Sequence, residues 1–205
     1  MGIEQLVIFS LASVVLVITP GPDIFHVLAR SAGQGMKAGF AAVTGCSAGN
    51  LFHTMLAVIG ISGILASSPA AFSFLRTAGA VYLIWIGIQL IRKPELSEFN
   101  SENSSEGFFK IFRQAAVTNI LNPKVGLFFL AFIPQFVPEN SDHPSLLFLI
   151  LGLIFVIITF SGFTLVNLGA GKIHNIIQKK PDYGRKMHRI SGAAILMIGI
   201  NTGIR

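Results

Sequence analysis

Charge is what this sequence has least of: Asp, Glu, Lys and Arg supply 12% of its 205 residues, about half the share carried by ordinary soluble domains. Cysteine is nearly missing too. Cys46 is the only one and sits in an apolar stretch, so no intrachain disulfide can form, no thiolate metal site is indicated, and a packing role is expected. No H-E-x-x-H run, clustered carboxylates or serine–histidine arrangement occurs, which argues against the usual zinc and acyl-transfer chemistries. We therefore expect no catalytic residues, no metal and no cofactor. No polar tract is long enough for a second domain, and the ten-residue alternating segments of a transmembrane barrel are missing.

What is present is apolar. Hydrophobic residues make up 52% of the chain and the mean hydropathy is +0.70, a composition whose natural solvent is a bilayer. Crossing about 30 Å of hydrocarbon takes roughly 20 apolar residues. Runs of that kind fall near 4–29, 38–65, 72–91, 112–136, 145–171 and 188–204. Unpaired backbone groups are costly in lipid, so six transmembrane helices are predicted. The first run begins Gly2, Ile3, Glu4, with no basic lead-in and no small-x-small cleavage site. It is expected to remain as a span and not to be a cleaved signal.

Basic residues give a direction. The first, third and fifth loops hold Arg30 and Lys37; Arg92, Lys93, Lys110 and Arg113; and Lys172, Lys179, Lys180, Arg185, Lys186 and Arg189. The opposite side holds only Arg76 and Arg205. The positive-inside rule then puts those three loops in the cytoplasm and both termini outside. The net charge of +6 is read as this orientation signal, and no nucleic-acid partner is expected.

The whole chain, 1–205, reads as one polytopic membrane domain of two halves. Repeat one covers about 1–93 and repeat two about 108–205. Between them, the Ser/Asn/Glu-rich segment 94–107 is expected to be a cytoplasmic linker. Laying the third span on the sixth with Arg76 over Arg189 also matches Gly79 with Gly192, Ala80 with Ala193 and Leu83 with Leu196. Three spans per half means that the second half enters from the other face. This is the inverted repeat common among secondary transporters.

The first and fourth spans are each interrupted by proline, at Thr19, Pro20, Gly21, Pro22 and Asp23 and at Asn122, Pro123 and Lys124. Proline removes a donor and clashes with the preceding turn, so such a span kinks or breaks. Thr19 and Asn122 are each placed as an N-cap followed by proline at the first helical position. Paired interruptions in two halves point to a transport site, although packing kinks would leave the same trace. Asp23 and Lys124 are the charged residues expected inside spans, where ionisable groups are expensive. Burial disfavours the charged carboxylate, which suits Asp23 to proton exchange or to holding a substrate ammonium. Lys124 suits a substrate carboxylate. A fixed ion pair between the two, or snorkelling, is the plain alternative.

Further polar residues join the proposed path. His53 follows Gly45, Gly49 and Asn50 in the second span and is read either as a proton relay or as a hydrogen-bonded core residue. Asn119, Asn122 and Asn167 are placed along the path, with an interhelical hydrogen bond the somewhat favoured reading of Asn167. His26 either tunes Asp23 or faces the interface, and Tyr82 and Trp85 are read as packing.

Several stretches together resemble the lysine exporter superfamily, especially its homoserine and threonine efflux branch, the LysE/RhtB group. They are TPGPD at Thr19 to Asp23, the Gly45, Gly49 and His53 pattern, AGAVYLIWIGIQ from Ala78 to Gln89, TNILNPK from Thr118 to Lys124, and FIPQF from Phe132 to Phe136. The resemblance spans nearly the whole chain. It implies efflux of amino acids or derivatives, such as threonine, homoserine, homoserine lactone or leucine, across a bacterial inner membrane by proton antiport. Its motif positions are Pro20, Gly21, Pro22, Asp23, Asn122, Pro123 and Lys124. Implied partners are the amino-acid substrate, protons and the lipid bilayer, with a homo-oligomer left open. A channel or structural membrane protein is the competing reading, and a membrane-embedded enzyme a more distant one.

Overall fold

The computed structural model describes residues 2–92, 106–138, 141–179 and 181–203, and every regular element among them is helical. Helix α1 (Ile3–Ile18) stops at Thr19, and α2 (Pro22–Gln34) leaves it at an angle of 55°. Pro20 and Pro22 have no N–H to continue the α1 ladder, so the break follows from the sequence. Gly35, with φ 86°, ends α2. Helix α3 (Met36–Leu56) runs on through a π-helical turn (Ala57–Ile61) into α4 (Ser62–Ser67), and α5 spans Pro69–Arg92. The second interruption separates α6 (Phe108–Ile120) from α7 (Pro123–Leu127), which continues through a π turn (Phe128–Phe132) and a 3-10 turn (Ile133–Phe136). These two pieces are bent by 50°. Helices α8 (Pro144–Lys179) and α9 (Pro181–Gly203) complete the chain.

Among the described residues, Met36–Ile61 and Pro144–Lys172 are each long and apolar enough to cross a membrane, and counting each bent pair as one span gives four. Several expected boundaries move. The fifth run, predicted over 145–171, is the apolar part of a 36-residue helix, about 54 Å long at 1.5 Å per residue. The sixth, predicted from 188, begins its helix at Pro181. Lys172, Lys179, Arg185, Lys186 and Arg189 therefore lie on helices and not in a loop. Hydropathy marks where a helix leaves hydrocarbon, whereas the backbone ladder continues into water. Apart from Glu106 and Gly107, the expected linker 94–107 lies outside the described residues.

Small residues set the packing. Ala38, Ala41, Ala42, Gly45, Cys46 and Gly49 are buried along α3, which packs against α6 and α8. Without large side chains between them, helix backbones approach closely. Cys46 is fully buried there, as expected of a packing residue. Helix α5 packs against α9, with Gly87 facing the backbone of Gly192 and Leu196. An aromatic cluster ties α1 to the second interrupted pair and to α8. Phe9 stacks on Phe132 at 6.0 Å, and Phe128 stacks on Phe155 at 4.6 Å.

The outer surface is apolar too. Ile3, Val7, Leu11, Val14 and Ile18 of α1 are all exposed at helical spacing, a stripe that a water-facing helix would fill with charge. Trp85 departs from the packing role expected of it: it is 53% exposed and faces outward.

Candidate functional site

The two breaks meet. Thr19 is the C-cap of α1, and its hydroxyl donates back to the Val15 carbonyl at 2.6 Å. It is not the N-cap of a new helix, as the sequence suggested. That position belongs to Gly21, with Pro22 at N1 and Asp23 in the first turn of α2. Pro20 and Gly21 form the extended link between them. Thr competes for two positions because its hydroxyl satisfies a preceding carbonyl as readily as a following N–H. Asn122 does act as the expected N-cap, its Oδ1 accepting from the Lys124 N–H at 3.0 Å, with Pro123 at N1 of α7.

Lys124 crosses from the second break to the first. Its Nζ donates to the Leu16 and Thr19 carbonyls at 3.2 and 3.0 Å. The Leu16 carbonyl also accepts the Thr19 N–H at 3.3 Å, and a cation at this end of α1 meets the negative end of the helix dipole. Lys124 and Asp23 form no ion pair, so the plain alternative of a fixed pair does not hold.

Asp23 is 3% exposed and its Oδ2 accepts from Asn119 Nδ2 at 2.8 Å. Asn119, on the last turn of α6, reaches Asp23 because position 49 on α3 is glycine: a Cβ there would overlap its amide. Gly45, one turn earlier, likewise admits the Phe112 carbonyl and the Ala115 methyl. The glycine spacing is thus a bed for α6. His53 continues it, its Nε2 lying 3.4 Å from the Asn119 carbonyl and its ring stacking on Phe129 at 5.4 Å. Asn167 bonds between helices as expected, with Ser31 at 2.7 Å and the Met36 carbonyl at 3.2 Å.

A cavity of about 10 Å³ lies between these groups, enough for roughly one water. Its polar lining is Asp23, Asn50, Asn119, Lys124 and Thr159. Its apolar lining is Leu16, Val17, Val125, Phe155 and Phe163. Asp23 Oδ1, Asn119 Oδ1, both amide atoms of Asn50 and the Thr159 hydroxyl are buried there without a hydrogen-bond partner. Such groups are rare because each costs about 1–3 kcal/mol. Five of them surround this one cavity.

Two features escaped the sequence reading. Thr159 and its aromatic neighbours Phe155 and Phe163 had no signal beyond an i, i+4, i+8 spacing inside a uniformly apolar run. Arg30, assigned to a loop, is 2% exposed within α2 and pairs with Glu106 at 2.9 Å. His26 remains at the same turn as Asp23 and does not line the cavity.

No group of three or more His, Cys, Asp or Glu among the described residues is placed to hold a metal. No solved structure matches the chain. The leucine efflux protein of Klebsiella pneumoniae is 24% identical over 205 residues, covering 100% of this chain and 95% of that protein. Those of Salmonella choleraesuis and Salmonella typhimurium are 29% identical over 174 residues, covering 84% of this chain and 82% of theirs. Residues 14–205 match the family described as LysE type translocator, so the chain belongs to that family of membrane translocators and is a transporter, not an enzyme.

Proposed function

We propose that this chain exports neutral amino acids, leucine-like or hydroxylated, from the cytoplasm across the bacterial inner membrane in exchange for protons. The observation that carries the reading is the cavity between the two breaks, with unpartnered polar atoms on one side and aliphatic and aromatic carbon on the other. An α-ammonium has three N–H donors, and Asp23 Oδ1, Asn50 Oδ1 and Asn119 Oδ1 are three buried acceptors without partners. The Asn50 amide N–H groups and the Lys124 ammonium are donors for an α-carboxylate. The carbon wall suits an uncharged side chain, in keeping with relatives named for leucine efflux.

Asp23 couples the two fluxes in this reading. Ionised and facing the cytoplasm, it holds the substrate ammonium. Protonated from outside, it no longer attracts that ammonium, and the substrate leaves. Proton entry and substrate exit then alternate on one carboxylate. The cavity is far too small for an amino acid, so its walls must separate for each passage, which fits gated alternating access better than an open channel. Helices α5 and α9 complete six crossings of two inverted halves, with both termini outside.

The test is efflux from cells loaded with a panel of amino acids as dipeptides. The chain should speed the exit of a small neutral group, and Asp23→Asn should abolish that gain at unchanged membrane abundance. Native efflux by Asp23→Asn would remove the carboxylate from the mechanism.

A further inference from the structure

Five buried hydroxyls in these helices follow a rule that two on α8, Thr159 and Thr164, break, and of these two it is Thr159 that lines the cavity. Ser13, Thr19, Ser31, Ser47 and Thr54 are all buried, and each donates to the carbonyl four residues earlier, at 2.6–2.9 Å. That bond is the cheapest way to satisfy a hydroxyl away from water. Thr159 is just as buried, at 2% exposure, yet its Oγ1 makes no such bond to Phe155 or to any other group. It lines the cavity instead, between Phe155 and Phe163 on one face of α8. An unsatisfied hydroxyl held among aromatic rings is costly unless something in the cavity pairs with it.

From this geometry we infer that Thr159 determines side-chain selectivity, donating to or accepting from a hydroxyl on the substrate's side chain. The inference rests on the amino-acid export reading above and deepens it. Asp23, Asn50, Asn119 and Lys124 come from the two broken pairs and α3 and suffice for an ammonium and a carboxylate. Thr159 stands apart from them on α8, where its neighbours along the helix are carbon. The substrate's side chain lies against that wall, and the one polar atom in the wall selects for a polar atom in the side chain. A site that holds a hydroxyl discriminates strongly against an isostere lacking it, because its own polar group is then left unpaired.

Threonine and valine are the matched probes, since they differ by a hydroxyl in place of a methyl. Thr159→Val makes the same exchange in the wall. Labelled threonine and valine are loaded into proteoliposomes carrying the full chain, and the ratio of their initial transport rates is read. Native protein should favour threonine, and Thr159→Val should lower the threonine-to-valine ratio about tenfold, the worth of one hydrogen bond. Thr159→Ser should keep the native ratio. If Thr159→Val does not reach the membrane, Thr159→Ala removes the same hydroxyl and the ratio is read there. An unchanged ratio with transport intact, or equal loss of both probes with Thr159→Ser as impaired as Thr159→Val, overturns the inference. Failure of the native chain to move any amino acid sinks the export reading itself, a result distinguishable from either.

Discussion

A Cβ at position 49 would fall on the Asn119 amide, which is the hydrogen-bond partner of Asp23. Gly49→Ala therefore tests whether the Asn119 bond matters to transport, without touching a charged residue. A bond to a carboxylate is worth about 1.5–3 kcal/mol, so efflux should fall at least about tenfold. Native efflux from Gly49→Ala would show that Asp23 works without its amide. Gly45 separates packing from function. Its Cβ would meet the Phe112 carbonyl, a backbone atom that cannot rotate away, and Ala115 Cβ at 2.7 Å. Overpacking costs about 1–3 kcal/mol and alanine returns up to about 1 kcal/mol of helix propensity. Gly45→Ala should thus lower the melting temperature in detergent, and a rise would mean that α6 shifts freely.

At the scale of elements, the breaks are held by caps. Asn122 closes the first turn of α7 through the Lys124 N–H, and such caps are worth about 1 kcal/mol. Asn122→Ala should lower the melting temperature by roughly 2–4 °C in a chain of this size. No shift would mean that the break is held by packing alone. Proline made both breaks legible in the sequence, since it cannot continue a helix wherever the chain goes next. The exact restart was not legible at the first one: Thr19 reads as the N-cap, whereas the helix restarts from Gly21 and Lys124 packs against the end of α1. Nor were the ends of α8 and α9, where hydropathy stops reporting on a helix that goes on.

For the whole molecule, the legible part was what one residue says by itself: an acid, an amine and amides in apolar runs. Their convergence across α2, α3, α6 and α7 was not legible, because contacts a hundred residues apart leave no periodicity. Arg30 is the clearest case. It ties the end of α2 to the segment entering α6, through Glu106 at 2.9 Å and Gln114 at 2.8 Å, while Lys110 holds Glu106 from the other side at 2.7 Å. Beside this latch lies a cleft of about 430 Å³, lined in part by Gln34, Lys37 and Phe108. The hydrogen bond from Lys110, aided by the Arg30 and Lys110 charges and opposed by partial burial, holds the Glu106 carboxyl below the usual glutamate range. A carboxyl depressed on folding stabilises the protein at neutral pH, and that contribution disappears as pH falls through the depressed value. Other carboxylates titrate in the same range, so the informative quantity is the melting-temperature gap between the native chain and Glu106→Gln. The gap should be present at pH 7, with the native chain the more stable, and should close as the medium is acidified below the glutamate range. Salt should narrow it only in part, because Lys110 is 57% exposed while Arg30 is shielded at 2%. A gap that stays constant across pH would mean that Glu106 holds α2 and α6 together by shape and hydrogen bonding, not by charge.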